Sequence, residues 1–132
     1  MTAHILLVDD DDDDREFFCD AVESIAPTHE CVEAKDGEVA LALLNSGMFT
    51  PDYIFIDLNM PRVNGLQCLT ELKKNEKFSQ IPVIIYSTSR RKEDREKALA
   101  LGAVHFISKP DNHNDLCEAI AYVLEKKWEK VR

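Results

Sequence analysis

The sequence predicts an α/β fold: a doubly wound sheet of five parallel strands with helices on both faces. Three observations carry this. Short apolar runs alternate with longer stretches of helical periodicity along the whole 132 residues. The apolar runs are continuous rather than alternating, as strands covered on both faces are. Two of them stop abruptly on carboxylates, at Asp9-Asp10 and at Asp57. Open parallel sheets bind ligands at that C-terminal edge.

The elements follow in order. Residues 5–8 form the first strand, and Phe17, Phe18, Ala21, Val22 and Ile25 mark one face of a helix that Pro27 ends. A strand at 31–34 leads to a helix at 37–45 with Val39, Ala40, Leu43 and Leu44 inward, closed by Ser46-Gly47. Residues 53–56 make the third strand; Gly65 opens a helix with Leu66, Leu69 and Leu72 in register. Pro82 precedes a strand at 83–86. The helix at 92–101 is the most polar of the set, and Gly102 stops it. A fifth strand at 104–107 and a helix striped by Leu116, Ala119, Ile120, Val123 and Leu124 complete a (βα)₅ chain. Right-handed crossovers favour the order 2-1-3-4-5, which sets strands 1 and 3 side by side where the winding reverses.

Composition bounds the function. One domain of this size buries a core without staples. Net charge is −9, but six consecutive aspartates, residues 9–14, carry most of it. Nothing favours direct contact with nucleic acid or an anionic membrane. No apolar run reaches the ~18 residues of a membrane span, and no signal-peptide pattern opens the chain, so the expected location is the cytoplasm. Cys19, Cys31, Cys68 and Cys117 are scattered without a CxxC pair, so they are expected as small apolar residues rather than as a disulfide framework or zinc site. His4, His29, His105 and His113 also lack ligand spacing.

Adjacent strands 1 and 3 would gather Asp9, Asp10 and Asp57 into one pocket. Like charges at close range repel by roughly 4 kcal/mol per pair at an effective dielectric near 20. A hard divalent cation relieves that repulsion, and oxygen-only ligands suit Mg²⁺. A carboxylate in such a pocket can also act as a nucleophile towards phosphorus. The acids at 11–14 are expected in the loop and first turn of helix 1, complementing its dipole.

These residues resemble a receiver domain, the phospho-accepting module of two-component response regulators, in its single-domain, chemotaxis-regulator-like form. The resemblance runs from Ile5 to about Lys126. It rests on four motifs in order, each at a strand end: Asp9-Asp10, Asp57 within Asp57-Leu58-Asn59-Met60-Pro61, Ser87, and Lys109-Pro110. It implies a flavodoxin-like sheet and Asp57 as phosphoryl acceptor. Mg²⁺, for which Mn²⁺ could substitute, would be bound by Asp10, Asp57 and the Asn59 backbone carbonyl, with Asp9 acting through water. Lys109 would pair first with Asp57 and then with the phosphoryl group, from a cis Lys109–Pro110 bond. Ser87 would hydrogen-bond a phosphoryl oxygen, and Phe106 would be the aromatic reporter of the switch.

Some positions depart from the family's commonest pattern. Ser87 replaces Thr, Phe106 replaces Tyr, and Thr88 stands where Ala or Gly is usual, which narrows access to the phosphoryl site. Asn59, Thr88 and Ser89 lie where the family sets the lifetime of the phosphorylated state. The implied partners are a sensor histidine kinase or histidine phosphotransfer protein upstream, and a protein target on the helix 4–strand 5–helix 5 face. The basic run at 90–97 is either a solvated helix face or part of that surface. A homodimer is compatible with the sequence, and Trp128 either caps the core or extends the last helix towards a second subunit.

The expectation is therefore a stand-alone regulator: one receiver domain over residues 1–132 with no output domain, and catalysis limited to its own phosphorylation and hydrolysis. Three rivals remain. A pseudo-receiver would bind partners without phosphate, but its acid set would be incomplete. A haloacid-dehalogenase-type phosphatase would use Asp9 and Asp11, yet Asp13 stands where that family has Thr or Val. A flavin-binding flavodoxin would need a Ser/Thr/Gly-rich loop after strand 1, which is absent here.

Overall fold

The computed structural model describes residues 2–60 and 63–126. In chain order it contains β1 (His4–Val8), α1 (Asp12–Ile25), β2 (Glu30–Ala34), α2 (Gly37–Asn45) and β3 (Tyr53–Ile56). Then come α3 (Gly65–Lys74), β4 (Val83–Ser87), α4 (Lys92–Ala100), β5 (His105–Ser108) and α5 (His113–Glu125). The strands form one parallel sheet in the order β2-β1-β3-β4-β5, as expected.

Side chains on a strand alternate between faces, and this divides the core in two. Leu6, Val8, Ile54, Ile56, Val83 and Ile85 pack against Ala40 and Leu44 of α2, Leu69 and Leu72 of α3, and Ala98 of α4. Ile5, Leu7, Phe55, Ile84 and Tyr86 turn the other way, against Phe18, Ala21 and Val22 of α1 and Leu116, Ile120 and Val123 of α5. Both faces are covered, which is why the strands read as unbroken apolar runs. α4 buries only Ala98 and has no side-chain cap, in keeping with its polar sequence. Among the described residues no helix is long and apolar enough to cross a membrane.

Register places the strand ends. Val8 is level with Ile56 on one side and Ala34 on the other. The ladder continues one step beyond the strands: the Asp57 N–H donates to Val8 O (2.9 Å) and the Asp9 N–H to Ala34 O (3.0 Å). The two acids therefore leave the sheet side by side. β4 runs one residue further than expected because Ser87 pairs with Ser108, and the Lys109 N–H donates to Ser87 O at 2.7 Å.

Three expectations need correction or placement. Cys19 of α1 and Cys31 of β2, expected as unpaired apolar residues, form a disulfide with Cα atoms 5.9 Å apart. The α1 crossover packs back across β2 and brings them within bridging distance. Cys68 is a buried free thiol as expected, and Cys117 is half-buried. The Lys109–Pro110 bond, expected cis, is trans; the long lysine stem still carries the ammonium to the acids. Trp128 lies outside the described residues.

Candidate functional site

The end of β1 delivers Asp9, and local hydrogen bonds fix it. Its side chain is fully buried; Oδ1 accepts from the Asp11 N–H (3.0 Å) and Oδ2 from Lys109 Nζ (2.9 Å). Arg15 donates to the Asp9 backbone oxygen (2.8 Å). Asp11 caps α1 by accepting from the Asp14 N–H (3.0 Å), while Asp12 pairs with Arg15 on the helix surface. The first turn of α1 is thus anchored, and it sends Asp14 back over the strand end. Asp10, the residue after Asp9, is exposed.

β3 delivers Asp57, which is buried. What lets the following loop fold over it is Gly65. A Cβ there would collide with the Asp57 carbonyl oxygen and lie 2.7 Å from Leu58 Cα. The Gly65 N–H donates to Leu58 O (2.9 Å), and the next turn is held by a capping box in which Asn64 and Gln67 bond reciprocally.

Lys109 enters from β5 with its side chain only 9% exposed. Its ammonium lies 2.7 Å from Asp14 Oδ2, 2.9 Å from Asp9 Oδ2 and 3.8 Å from Asp57 Oδ1. The expected pairing with Asp57 is therefore the longest of the three and is electrostatic rather than a hydrogen bond. The Tyr86 ring lies 5.1 Å from the ammonium, within cation–π range.

Burial dominates the electrostatics. It raises the Asp57 carboxyl to about 6, with Lys109 and the Asn59 N–H opposing and the Asp9 and Asp10 charges reinforcing the rise. Burial also raises Asp9, against its bonds from Lys109 and the Asp11 N–H. For Lys109, burial alone would lower the value, but the bonds to Asp14 and Asp9 and the charge of Asp57 outweigh it and the ammonium is held charged. Asp9, Asp10 and Asp57 each offer a carboxylate oxygen, all within 4.8 Å of one another. A hard, all-oxygen donor set of this kind fits a divalent cation such as Mg²⁺ or Mn²⁺.

The remaining expected residues surround this cluster. Ser87 is fully buried, and its Oγ accepts from the Ser89 N–H (3.1 Å). Ser89 in turn donates to Asp94 and accepts from the Arg91 N–H. Thr88 and Asn59 are exposed, and Asn59 shares a cleft with Leu58, Met60, Asn64, Leu66 and Asp94. Phe106 is 8% exposed and packs into the α2–α3–α4 side of the core, with the Arg95 guanidinium 5.8 Å from its ring centre. Its ring is therefore already inward.

Two residues of the cluster were not singled out from the sequence. Asp14 is one of six consecutive aspartates, and only the helix start at Asp12 tells which of them faces Lys109. Tyr86 reads as strand core, and its place beneath Lys109 follows from the level ends of β4 and β5.

Comparison with known proteins agrees with this geometry. The response regulator receiver domain family matches residues 5–121. The phosphate regulon transcriptional regulatory protein PhoB of Escherichia coli is 32% identical over 126 residues, covering 96% of this chain and 53% of that protein. The chain thus spans about half the length of these curated relatives. Response regulator Rcp1 of Synechocystis sp. is 30% identical over 129 residues, covering 94% of this chain and 87% of Rcp1. Among solved structures, the phosphorylated cyanobacterial phytochrome response regulator RcpA superposes with a TM-score of 0.86 at 29% identity, covering 95% of this chain and 93% of RcpA. The Mn²⁺-bound form of Rcp1 gives 0.84 at 27% identity over 98% and 99% of the two chains. From its first strand into its last helix, this chain belongs to the receiver domains of two-component response regulators.

Proposed function

We propose that this receiver takes a phosphoryl group on Asp57 from a phosphohistidine, carried by a sensor histidine kinase or a histidine phosphotransfer protein. The observation that carries the reading is the position of Asp57, buried at the end of β3 beside Asp9 and Asp10 with the Lys109 ammonium 3.8 Å away. An Asp57 carboxylate oxygen would form the new bond to phosphorus as the phosphorus–nitrogen bond of the donor breaks, with the bonding pair leaving on the imidazole. Little covalent work falls to other side chains; the protein's task is positioning and charge.

Asp10, Asp57 and the Asn59 backbone carbonyl would hold Mg²⁺, with Asp9 acting through water because Lys109 and the Asp11 N–H already occupy its oxygens. The bound cation would supply charge neutralisation at the phosphoryl oxygens. Lys109 would add a second positive charge, and the Ser87 hydroxyl would donate to the phosphoryl group after leaving the Ser89 N–H. Asn59, Thr88 and Ser89, at the mouth of the site, would govern access of water and hence the lifetime of the adduct.

The product would carry about −1.5 to −2 charge at neutral pH, by analogy with other phosphorylated side chains. Ser87 drawn inward, with Phe106 held inward behind it, would favour one arrangement of the β4–α4 segment, a shift of populations rather than a new fold. The signal would then leave through protein contacts on the α4–β5–α5 face, where Leu99 and Tyr122 are exposed and Arg95 of α4 lies over the Phe106 ring of β5. That face would meet either a downstream target or a second copy.

The test is intact mass after incubation with acetyl phosphate, with and without Mg²⁺, on wild type and Asp57→Asn. One phosphate adduct is expected, dependent on Mg²⁺ and absent from Asp57→Asn. An adduct that survives the substitution would assign the chemistry to another carboxylate. No adduct on wild type would leave a phosphate-independent binding module.

A further inference from the structure

We infer that Asp14 is a positioning residue for phosphoryl transfer: it holds the Lys109 ammonium away from Asp57 in the resting protein and releases it when Asp57 is phosphorylated. The inference rests on the phosphoacceptor reading of Asp57 and adds a regulator to that site.

The geometry separates the three partners of Lys109. Asp14 is nearest at 2.7 Å, Asp9 follows at 2.9 Å, and Asp57 at 3.8 Å lies beyond hydrogen-bond reach. An ammonium has three protons to give, and two are committed to carboxylates other than the acceptor. The two differ in how readily they can let go. Asp9 is fully buried and would be left without a partner for its charge. The Asp14 side chain is 38% exposed, so water can replace the ammonium on release. A phosphoryl group also carries more charge than a carboxylate, and it would extend from Asp57 towards Lys109. Asp14 is therefore the bond that yields. Its position is set by the helix rather than a loose loop, because the Asp11 cap fixes the Asp14 backbone. That cap uses the Asp14 N–H, which an Asn at this position keeps.

Removing the Asp14 charge should free Lys109 and favour the phosphorylated geometry. The experiment titrates beryllofluoride, a phosphoryl mimic, at saturating Mg²⁺ against wild type, Asp14→Asn, Asp14→Glu and Asp13→Asn, read by amide NMR. Asp14→Asn should bind about tenfold more tightly, the size of one partly exposed charge-assisted hydrogen bond. Asp14→Glu should return towards wild type. Asp13→Asn removes the same charge from the same exposed turn and should change little. In wild type, Lys109 side-chain protons should show cross-relaxation with the Asp14 Hβ protons that disappears when beryllofluoride binds.

Equal gains in Asp13→Asn and Asp14→Asn would overturn the latch, since they would report only the general field of the acidic turn. Unchanged or weaker binding by Asp14→Asn would overturn it too, as would persistence of the Lys109–Asp14 contact in the beryllofluoride complex. Failure of wild type itself to bind would remove the phosphoacceptor reading and the latch together, an outcome distinct from any difference among the variants.

Discussion

Lys109 is the residue whose loss the site can least absorb. Its ammonium is the cation set among Asp9, Asp14 and Asp57, and both it and Asp9 are withdrawn from water. Lys109→Ala would leave Asp9 buried without its ion-pair partner, a change that typically costs about 3–5 kcal/mol. We expect a loss near the lower end, ~3 kcal/mol, because Asp57 and Asp14 keep access to water or protons. Urea unfolding in EDTA would measure it, and Mg²⁺ should restore part of the loss by bringing positive charge back to the acids. A variant as stable as wild type in EDTA would mean that Lys109 does not compensate Asp9. At this scale the sequence was informative where a residue's position follows from a strand end. An apolar run that stops on acid fixes both where Asp57 sits and which way it faces. It was uninformative within the aspartate run, where six identical side chains offer no pattern and only the helix start at Asp12 singles out Asp14. The partner order of Lys109 was equally hidden, because it depends on differences of about an ångström.

Among the elements, α1 does more than cover the sheet. Its N-terminal turn supplies Asp14 to the site, and its second turn is tied to β2 through Cys19–Cys31. A bridge closing a loop of this length removes conformational entropy worth roughly 3 kcal/mol from the unfolded chain. Thiol reductant should lower the unfolding free energy of wild type in urea by an amount approaching that figure, and leave Cys19→Ser unmoved. Identical midpoints with and without reductant, or four titratable thiols in the oxidised protein, would show that the bridge does not form. Its reduction in a thiol-buffered compartment would loosen the helix that carries the lysine's nearest partner. The strands and helices themselves were legible to within a residue or two, because each is marked by periodicity or by Pro and Gly at its end. The bridge was not: its cysteines lie twelve positions apart on different elements, and only the crossover sets one above the other.

Across the whole molecule, the doubly wound sheet gathers acids at one edge at a cost to its own stability. Asp57 is the clearest instance, since burial raises its carboxyl to about 6 while the unfolded value lies near 3.8. An acid whose folded pKa is raised destabilises the fold when ionised. The penalty is full above about 6 and fades as pH falls through that value towards 3.8, because the folded state then takes up the proton first. Asp57→Asn removes the charge and keeps the shape. In metal-free buffer at neutral pH it should unfold at higher urea than wild type, with an unfolding free energy greater by on the order of 1–3 kcal/mol. The difference should shrink on acidification towards pH 4. Mg²⁺ should also narrow it, by stabilising wild type through binding to the folded state: about 2.7 kcal/mol at a hundredfold excess over its dissociation constant. Asp57→Asn, lacking one ligand charge, should gain less. A variant less stable than wild type in EDTA would mean that the Lys109 attraction outweighs desolvation, and that the acid cluster holds the sheet edge together. Greater stability without metal, together with loss of the phosphate adduct, would mean that this fold keeps its acceptor acid for chemistry and not for structure, a trade-off found where functional sites work against folding.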